Sequence, residues 1–177
     1  MSLPTSSVVI CAYTLARWPE LGAAVRAVLD QAVPADELII VIDHNDQLAE
    51  RAREEFLPLH ETVAVVENSH PRGLSGARNT SLDLASGDIV VFLDDDASPR
   101  STGWLGAILS HYSDDAVYAV GGSAYPVWPD KRPAFLPAEV VGEPGELDWV
   151  VGCTYRGQPT ETAQVRNLMG ANMSFRR

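Results

Sequence analysis

Short apolar runs alternate with longer stretches that are amphipathic at helical spacing through the first two thirds of the chain. The apolar runs predict five buried strands, at residues 7–11, 38–42, 62–66, 89–93 and 116–120. The stretches between them predict helices over residues 19–32, 47–56, 74–85 and 104–112. Strands that are apolar throughout and separated by helices indicate an α/β fold, with a mainly parallel sheet covered by helices on both faces.

Glycine and proline mark the limits of this pattern. Gly87 follows the third helix and is predicted to end it in the C′ position. Six prolines lie between residues 126 and 159, where regular periodicity is lost. We therefore predict an α/β core over residues 1–122 and a loop-rich segment over residues 123–177 of the same domain.

Composition and charge argue against a nucleic-acid-binding protein, a disulfide-rich protein and a membrane-spanning protein. The 177 residues carry a net charge of −11 without a basic cluster, which argues against a nucleic-acid partner. Two distant cysteines form neither a disulfide framework nor a zinc spacing, which favours a reducing, cytoplasmic environment. No apolar run approaches the roughly 18 residues that a membrane span needs.

The most informative stretch is the apolar run 89–93, which ends in three consecutive carboxylates. In an extended chain, Asp94 and Asp96 share a face, whereas Asp95 is predicted to point away. Their hard oxygen ligands suit Mg²⁺ or Mn²⁺, which bind through one or two carboxylates together with substrate phosphates. The alternative is an acidic turn before a helix that Ser98 caps and Pro99 begins.

Ligands of open parallel sheets bind at the carboxyl ends of the strands. The polar residues that follow the first four strands therefore form one candidate set, at 12–14, 43–46, 68–73 and 94–96. Neither a GxGxxG dinucleotide fingerprint nor a GxxxxGK[ST] phosphate loop is present, so any nucleotide must be held in another way.

These segments, in this order, resemble the family 2 glycosyltransferases of the GT-A fold. The resemblance rests on five segments, at residues 7–13, 38–43, 72–79, 92–96 and 169–177. It implies a Rossmann-like, mainly parallel sheet in which residues 1–122 bind a nucleotide sugar. It also implies transfer of that sugar to an acceptor with inversion, assisted by Mn²⁺ or Mg²⁺, which neutralises the leaving diphosphate.

The resemblance assigns base recognition to the first two strand ends. Ala12 and Tyr13 would flank the base, and Asp43 would accept a hydrogen bond from it, which for uracil comes from N3–H and indicates a UDP-sugar. Many relatives carry a second aspartate where this chain has His44, so recognition rests on Asp43 alone or involves His44.

Other residues are expected at the diphosphate and the metal. Arg72 and Arg78 would bridge to phosphate oxygens, although Arg78 could instead pair with Asp43 or with an aspartate of the metal motif. Asp94 and Asp95 would contact the donor, while Asp96 and Asp94 would hold the metal. Gly73 and Gly76 would allow close approach of the backbone to the ligand, although Gly73 could instead only begin the helix that follows.

The acceptor side is less complete in the sequence. Residues Gly170, Ala171 and Asn172 are expected to lie near the acceptor, which the sequence leaves open as a glycan, a lipid carrier or a small molecule. Relatives supply the general base from a later acidic motif, so the chain resembles the donor-binding part of a longer enzyme, with a frayed end at Arg176 and Arg177. Membrane association would come only through further C-terminal residues, at the cytoplasmic face. The carboxylates that could substitute as base, though expected to be solvated, are Glu139, Glu143, Glu146 and Asp148.

Two alternatives remain beside a glycosyltransferase. One is a catalytically incompetent module that binds sugar nucleotides, which the missing base favours. The other is a sugar nucleotidyltransferase, but residues 12–17 do not form the glycine-rich basic loop that such an enzyme would carry after the first strand.

Overall fold

The computed structural model of the chain describes residues 3–128, 130–136 and 144–177. Within these residues, six strands form a single sheet: β1 (Ser6–Ala12), β2 (Glu37–Ile42), β3 (Val63–Glu67), β4 (Ile89–Asp94), β5 (Ala119–Gly121) and β6 (Asn172–Arg176). Four α-helices accompany them: α1 (Trp18–Leu29), α2 (Asp46–Phe56), α3 (Leu74–Leu84) and α4 (Trp104–Ser110). The predicted α/β fold with a mainly parallel sheet is confirmed.

The strand order β3-β2-β1-β4-β6-β5 contains four parallel strands and an antiparallel insertion. β1 pairs in parallel with both β2 and β4, so the chain reverses its direction of progress across the sheet between β1 and β4. This reversal is the topological switch point at which open α/β sheets bind ligands. β6 then pairs antiparallel with β4 and with β5.

Helices cover both faces of the sheet because successive strand residues point in opposite directions. Val8, Ile10 and Leu38 belong to a large buried cluster that also contains residues of α1, α2 and α4. Val9, Ile39 and the helical Ala77 belong to a smaller buried cluster on the other face, beneath α3. The resulting rigid core fixes the carboxyl ends of β1, β2 and β4 in one place.

The predicted start of the fourth helix is confirmed, since α4 begins at Trp104. The alternative, a helix that Ser98 caps and Pro99 begins, is not observed. Gln31 marks the start of α4, because its side chain donates to the Ser101 carbonyl and accepts a hydrogen bond from the Leu105 amide, 74 residues away along the chain. The predicted bound of the strand that follows α4 is wrong. The fifth strand, predicted at 116–120, runs over Ala119–Gly121 instead.

Local hydrogen bonds account for the remaining differences. A turn at Asp114, whose side chain accepts from the Ala116 amide, holds residues 114–117 out of β5. Gly87 does not occupy the predicted C′ position, because α3 ends at Leu84. A glycine fits at residue 87 for another reason: a Cβ there would lie only 2.7 Å from the Ser6 carbonyl carbon. The expected fraying at the end is also wrong, because the Arg177 amide donates to the Asp88 carbonyl at 2.9 Å.

None of the described helices is long and apolar enough to cross a lipid bilayer.

Candidate active site

A cleft of about 150 Å³ opens at the carboxyl ends of β1 and β4, at the switch point of the sheet. The residues that line it are Cys11, Ala12, Tyr13, Arg17, Asp43, Leu74, Ala77, Asp94 and Asp95. Five of these are residues that the sequence assigned to the donor site: Ala12, Tyr13, Asp43, Asp94 and Asp95. Three of the other predicted donor and metal residues contact this lining, since His44 contacts Asp43, Arg78 contacts Asp94 and Asp96 contacts Arg17. The fourth, Arg72, donates to the His44 carbonyl and reaches the lining only through His44.

Asp43 is held rigidly at the end of β2. Its Oδ1 accepts a hydrogen bond from Asn68 Nδ2 at 2.7 Å and lies 2.8 Å from His44 Nδ1, while its Oδ2 accepts from the Gly73 amide at 2.9 Å. Burial alone would raise the pKa of this carboxyl, but the hydrogen bonds from Asn68, His44 and Gly73 outweigh burial and hold the pKa below its ordinary value. Asp43 is therefore a fixed, ionised acceptor in the wall of the cleft.

His44 has an unusual backbone that its neighbours hold in place. Its φ of 52° lies in the left-handed region, which is uncommon for residues other than glycine. Arg72 Nη2 donates to the His44 carbonyl at 2.8 Å, and Asp43 fixes the imidazole through Nδ1. Arg72 thus supports His44 and, through it, the Asp43 carboxylate in the wall of the cleft.

Gly73 and Gly76 have separate backbone roles at the start of α3. Gly73 occupies the N-cap with a φ of 125°, which supplies its amide to Asp43. A Cβ at Gly76 would lie 2.0 Å from the Pro71 carbonyl oxygen, so the close approach at Gly76 is to the chain's own backbone.

Asp94 and Arg78 join the metal motif to the C-terminal segment. Arg78 Nη2 lies 3.3 Å from Asp94 Oδ1 and donates to the Gly170 carbonyl at 3.0 Å. The guanidinium also lies 5.3 Å from the centroid of the Phe92 ring. Of the two partners foreseen for Arg78 within the protein, the structure shows the aspartate of the metal motif.

Asp95 does not point away from the site, contrary to the prediction from strand alternation. β4 ends at Asp94, and residues 95–96 form a turn in which alternation no longer applies. The Asp95 side chain is 5% exposed and lines the cleft, where Arg17 Nη1 contacts Asp95 Oδ1 at 2.9 Å and Asp96 Oδ2 at 3.0 Å. A single guanidinium nitrogen therefore bridges the last two carboxylates of the motif.

Burial sets the electrostatics of the motif. It raises the pKa of Asp94, against the opposing effect of Arg78, and Asp96 raises it further. Burial also raises the pKa of Asp95, against the hydrogen bond from Arg17. Cys11, beside Asp94 in the sheet, is a poor nucleophile because burial raises the pKa of its thiol to about 12.

The motif fits a divalent metal held by two carboxylates. The side chains of Asp94 and Asp96 are 34% and 45% exposed, and both offer the hard oxygen ligands that Mg²⁺ and Mn²⁺ prefer. The described residues contain no cluster of three or more metal-ligating side chains, but these ions need only one or two carboxylates when phosphates and waters complete the shell. Asp95 Oδ2 is buried without a partner among the described residues, which marks a shortage of cationic or donor groups here.

The predicted acceptor-side residues lie next to the metal motif. The Gly170 carbonyl accepts from Arg78, and Ala171 connects it to Asn172 at the start of β6. The Asn172 amide is used within the protein, since its Oδ1 accepts from Trp104 Nε1 at 3.0 Å and its Nδ2 donates to the Ser123 carbonyl at 3.1 Å.

The four carboxylates considered as bases differ in their surroundings. Glu139 and Glu143 lie outside the described residues. Glu146 pairs with Arg156 at 3.0 Å. Asp148 is fully buried rather than solvated: both of its oxygens contact the Arg132 guanidinium, and Oδ2 also accepts from the Gly145 amide at 2.9 Å.

Sequence reasoning missed Arg17 as a site residue. The one sign of its role in the sequence is its position, four residues after Tyr13 and just past the carboxyl end of β1. Its partners, Asp95 and Asp96, lie 78 and 79 positions away along the chain, so the sequence does not show that they pair.

Comparison with protein families identifies the chain. The model of glycosyl transferase family 2 matches residues 7–177. The chain belongs to this family. Glucosyl-dolichyl phosphate glucuronosyltransferase of Haloferax volcanii is 35% identical over 173 residues, which make up 97% of this chain and 52% of that protein. Glycosyltransferase AglE of the same organism is 31% identical over 132 residues, 73% of this chain and 42% of that protein.

A solved structure supports the same fold. Mannosyltransferase PcManGT from Pyrobaculum calidifontis, in complex with GDP-Man and Mn²⁺, superimposes with a TM-score of 0.61 at 26% identity. The match covers 68% of this chain and 36% of that one. The family 2 glycosyltransferase expected from the sequence is therefore confirmed, with the GT-A fold, and the chain spans about half or less of the length of these relatives.

Proposed function

We propose that this chain binds a nucleoside diphosphate sugar together with a divalent metal, and forms the donor-binding part of an enzyme that transfers the sugar with inversion. The observation that carries the proposal is the meeting of the carboxylates of the metal motif, two arginines and the fixed Asp43 carboxylate around one cleft at the switch point. A relative of known structure holds GDP-Man and Mn²⁺, which supports a donor and a metal of this class here.

The residues divide between the two ends of the donor. Asp43 offers an ionised acceptor for the imide N–H of a base such as uracil, and the exposed Tyr13 ring offers a stacking surface beside it. At the other end, Arg78 and Arg17 place guanidinium groups beside the carboxylates, where they can stabilise negative charge on a diphosphate.

The metal would be held by Asp94 and Asp96. When bound, it would act as a Lewis acid that offsets the charge developing on the leaving diphosphate. The protein's own cations would stabilise the same negative charge on the diphosphate. The Arg78 side chain is only 20% exposed, so solvent screens its charge less than that of a surface arginine.

A second candidate function is donor binding without transfer. The specific observation in its favour is that Glu146 and Asp148, the two described carboxylates considered as bases, are both occupied by arginines. Positioned proton abstraction contributes about 10²–10⁴-fold to such reactions, so its absence would leave binding intact and transfer slow.

Calorimetric titration of the chain with UDP, GDP and dTDP tests the shared part of both functions. We expect binding, tightest for UDP, that requires Mn²⁺ or Mg²⁺ and is lost in EDTA. Equal affinity with Mn²⁺ and with EDTA would refute the role of the metal. Turnover of a UDP-sugar with acceptor sugars or lipid phosphates then separates transfer from binding alone.

Asp96→Asn should remove the metal dependence with little change in melting temperature, because the exposed ion pair that it loses is worth about 0–1 kcal/mol. Asp83→Asn changes an exposed carboxylate on α3 that contacts His70; it is the matched control and should bind as the wild type does. A variant at Asp96 that kept full metal-dependent binding would remove this residue from the site.

A further inference from the structure

Arg17 lies between two carboxylates that differ in their surroundings. It ends a short 3₁₀ helix, Leu15–Arg17, which Thr14 caps by accepting a hydrogen bond from the Ala16 amide at 3.2 Å. Its Nη1 bridges Asp95 and Asp96 at almost equal distances of 2.9 and 3.0 Å. Since the Arg17 side chain is 41% exposed, it has room to change its rotamer without disturbing the core.

The two bonds of Arg17 should not be equally easy to break. Asp95 is 5% exposed and already has one oxygen without a partner, so the loss of Arg17 would leave a buried carboxylate uncompensated. Asp96 is 45% exposed, so water can replace Arg17 there at little cost. Arg17 can therefore release Asp96 while it keeps Asp95.

The charges around the motif depend on what is bound. Three carboxylates and the guanidinium groups of Arg17 and Arg78 leave one net negative charge in the metal-free site. A divalent cation alone would make this cluster net positive and would compete with Arg17 for Asp96. A diphosphate brings the cluster back to net negative charge and offers phosphate oxygens to the guanidinium that the metal displaces.

We propose that Arg17 is a displaceable counter-ion that couples metal binding to diphosphate binding. It occupies Asp96 in the metal-free site, opposes the binding of a metal ion alone, and turns to the diphosphate oxygens once metal and nucleotide are both present. This inference rests on the proposed binding of a nucleoside diphosphate. It makes Arg17 a positioning residue that sets the order and cooperativity of binding.

Manganese affinity measured by electron paramagnetic resonance tests the coupling. Free Mn²⁺ is titrated in the wild type and in Arg17→Gln, each with and without UDP. Without UDP, the variant should bind Mn²⁺ about 3- to 10-fold more tightly, because an opposing charge and an ion pair to be broken are both gone. With UDP, the gain should vanish or reverse, so that the factor by which UDP tightens Mn²⁺ binding falls.

Two further variants control for charge and for the general loss of an arginine. Arg17→Lys keeps a cation and should retain most of the wild-type coupling. Arg53→Gln removes a surface arginine of similar exposure, which lies on α2 and pairs with Glu67 at the end of β3, and should change neither affinity. Melting temperatures of all three variants report whether the fold is retained.

Several results would overturn the inference. Binding of Mn²⁺ alone to Arg17→Gln that is as tight as in the wild type, or weaker, would show that Arg17 does not compete for Asp96. An unchanged effect of UDP on Mn²⁺ affinity would show that Arg17 does not couple the two ligands. If Arg17→Gln does not fold, the side-chain NMR signals of Arg17 in the wild type decide the matter: they should shift on saturation with Mg²⁺, and unmoved signals would contradict displacement. A wild type that binds no nucleotide at all would instead refute the proposed function.

Discussion

Replacing Asp43 with asparagine should weaken both the fold and the base side of the cleft. The two carboxylate oxygens face three donors: Asn68 Nδ2 and His44 Nδ1 at Oδ1, and the Gly73 amide at Oδ2. An asparagine side chain keeps one oxygen and replaces the other with an NH₂ group. In either orientation of the amide, at least one N–H of the protein then faces a donor instead of an acceptor.

The expected loss of stability follows from these contacts. A hydrogen bond to a charged group contributes about 1.5–3 kcal/mol, and a buried donor left without an acceptor costs about 1–3 kcal/mol. Asp43 lines an open cleft, so water can replace some of the hydrogen bonds that the substitution removes. We therefore expect Asp43→Asn to lower the free energy of unfolding by about 2–4 kcal/mol at pH 7.

The dependence of this loss on pH has a definite sign. The pKa of Asp43 is lower in the folded protein than its ordinary value, so the carboxylate stabilises the fold above the unfolded pKa of about 3.9. That contribution is lost as the pH falls through the lower, folded pKa. The difference in stability between wild type and Asp43→Asn should therefore be full at pH 7 and shrink below about pH 4.

Urea unfolding monitored by circular dichroism, at pH 7 and again near pH 3.5, measures both quantities. Asp83→Asn is again the control and should stay within about 0.5 kcal/mol of the wild type, since its carboxylate is 66% exposed. A loss below about 0.5 kcal/mol for Asp43→Asn at pH 7 would contradict the network described for this residue.

Calorimetry on the folded variant should also show an altered ranking of UDP, GDP and dTDP, and an unchanged ranking would remove Asp43 from base recognition.

Two other substitutions test the first turn of α3 and the segment around Asp148. Gly76→Ala should lower the free energy of unfolding in urea by about 1–3 kcal/mol, because the new Cβ would lie 2.0 Å from the Pro71 carbonyl oxygen. Gly103→Ala is the control and should be tolerated, because the nearest atom to its Cβ would be 3.8 Å away. Equal losses of stability in the two variants would contradict the close packing described for Gly76. Asp148→Asn should leave Arg132 without its buried partner and speed proteolytic cleavage in residues 144–155, while the added Arg132→Gln change should recover part of the protection. Cleavage there at the wild-type rate in the single variant would show that this ion pair does not order the segment.

The first four strands and the helices between them could be predicted because their signals are local. Each predicted bound of β1 to β4 lies within one residue of the structure, since apolar runs bounded by polar residues are read directly from the chain. A site at the carboxyl ends of the parallel strands was also predicted, and five of the nine residues that line the cleft are among those that the sequence assigned to the donor. Local hydrophobic periodicity therefore accounts for the first four strands, the helices between them and the position of the site.

The missed features depend on contacts between distant residues. Gln31 caps α4 across 74 residues, a contact that no local pattern of the sequence indicates. Asp95 turns inward because Arg17 lies opposite it, whereas strand alternation alone predicted the reverse. The sequence predicts that Asp148 is a solvated carboxylate in a loop. In the structure it is buried, because the Arg132 guanidinium contacts it.

β6 was not predicted, and its place in the sheet links the two halves of the site. It inserts antiparallel beside β4, so that Leu93 lies opposite Asn172 and the preceding Gly170 comes within reach of Arg78. Arg78 divides its Nη2 between the Gly170 carbonyl and Asp94, which makes one guanidinium common to the metal motif and to the predicted acceptor side. A displacement of the Gly170 turn is therefore expected to move the guanidinium relative to the Asp94 carboxylate and to change the electrostatic potential there. The predicted donor and acceptor sides are joined in this way through one side chain.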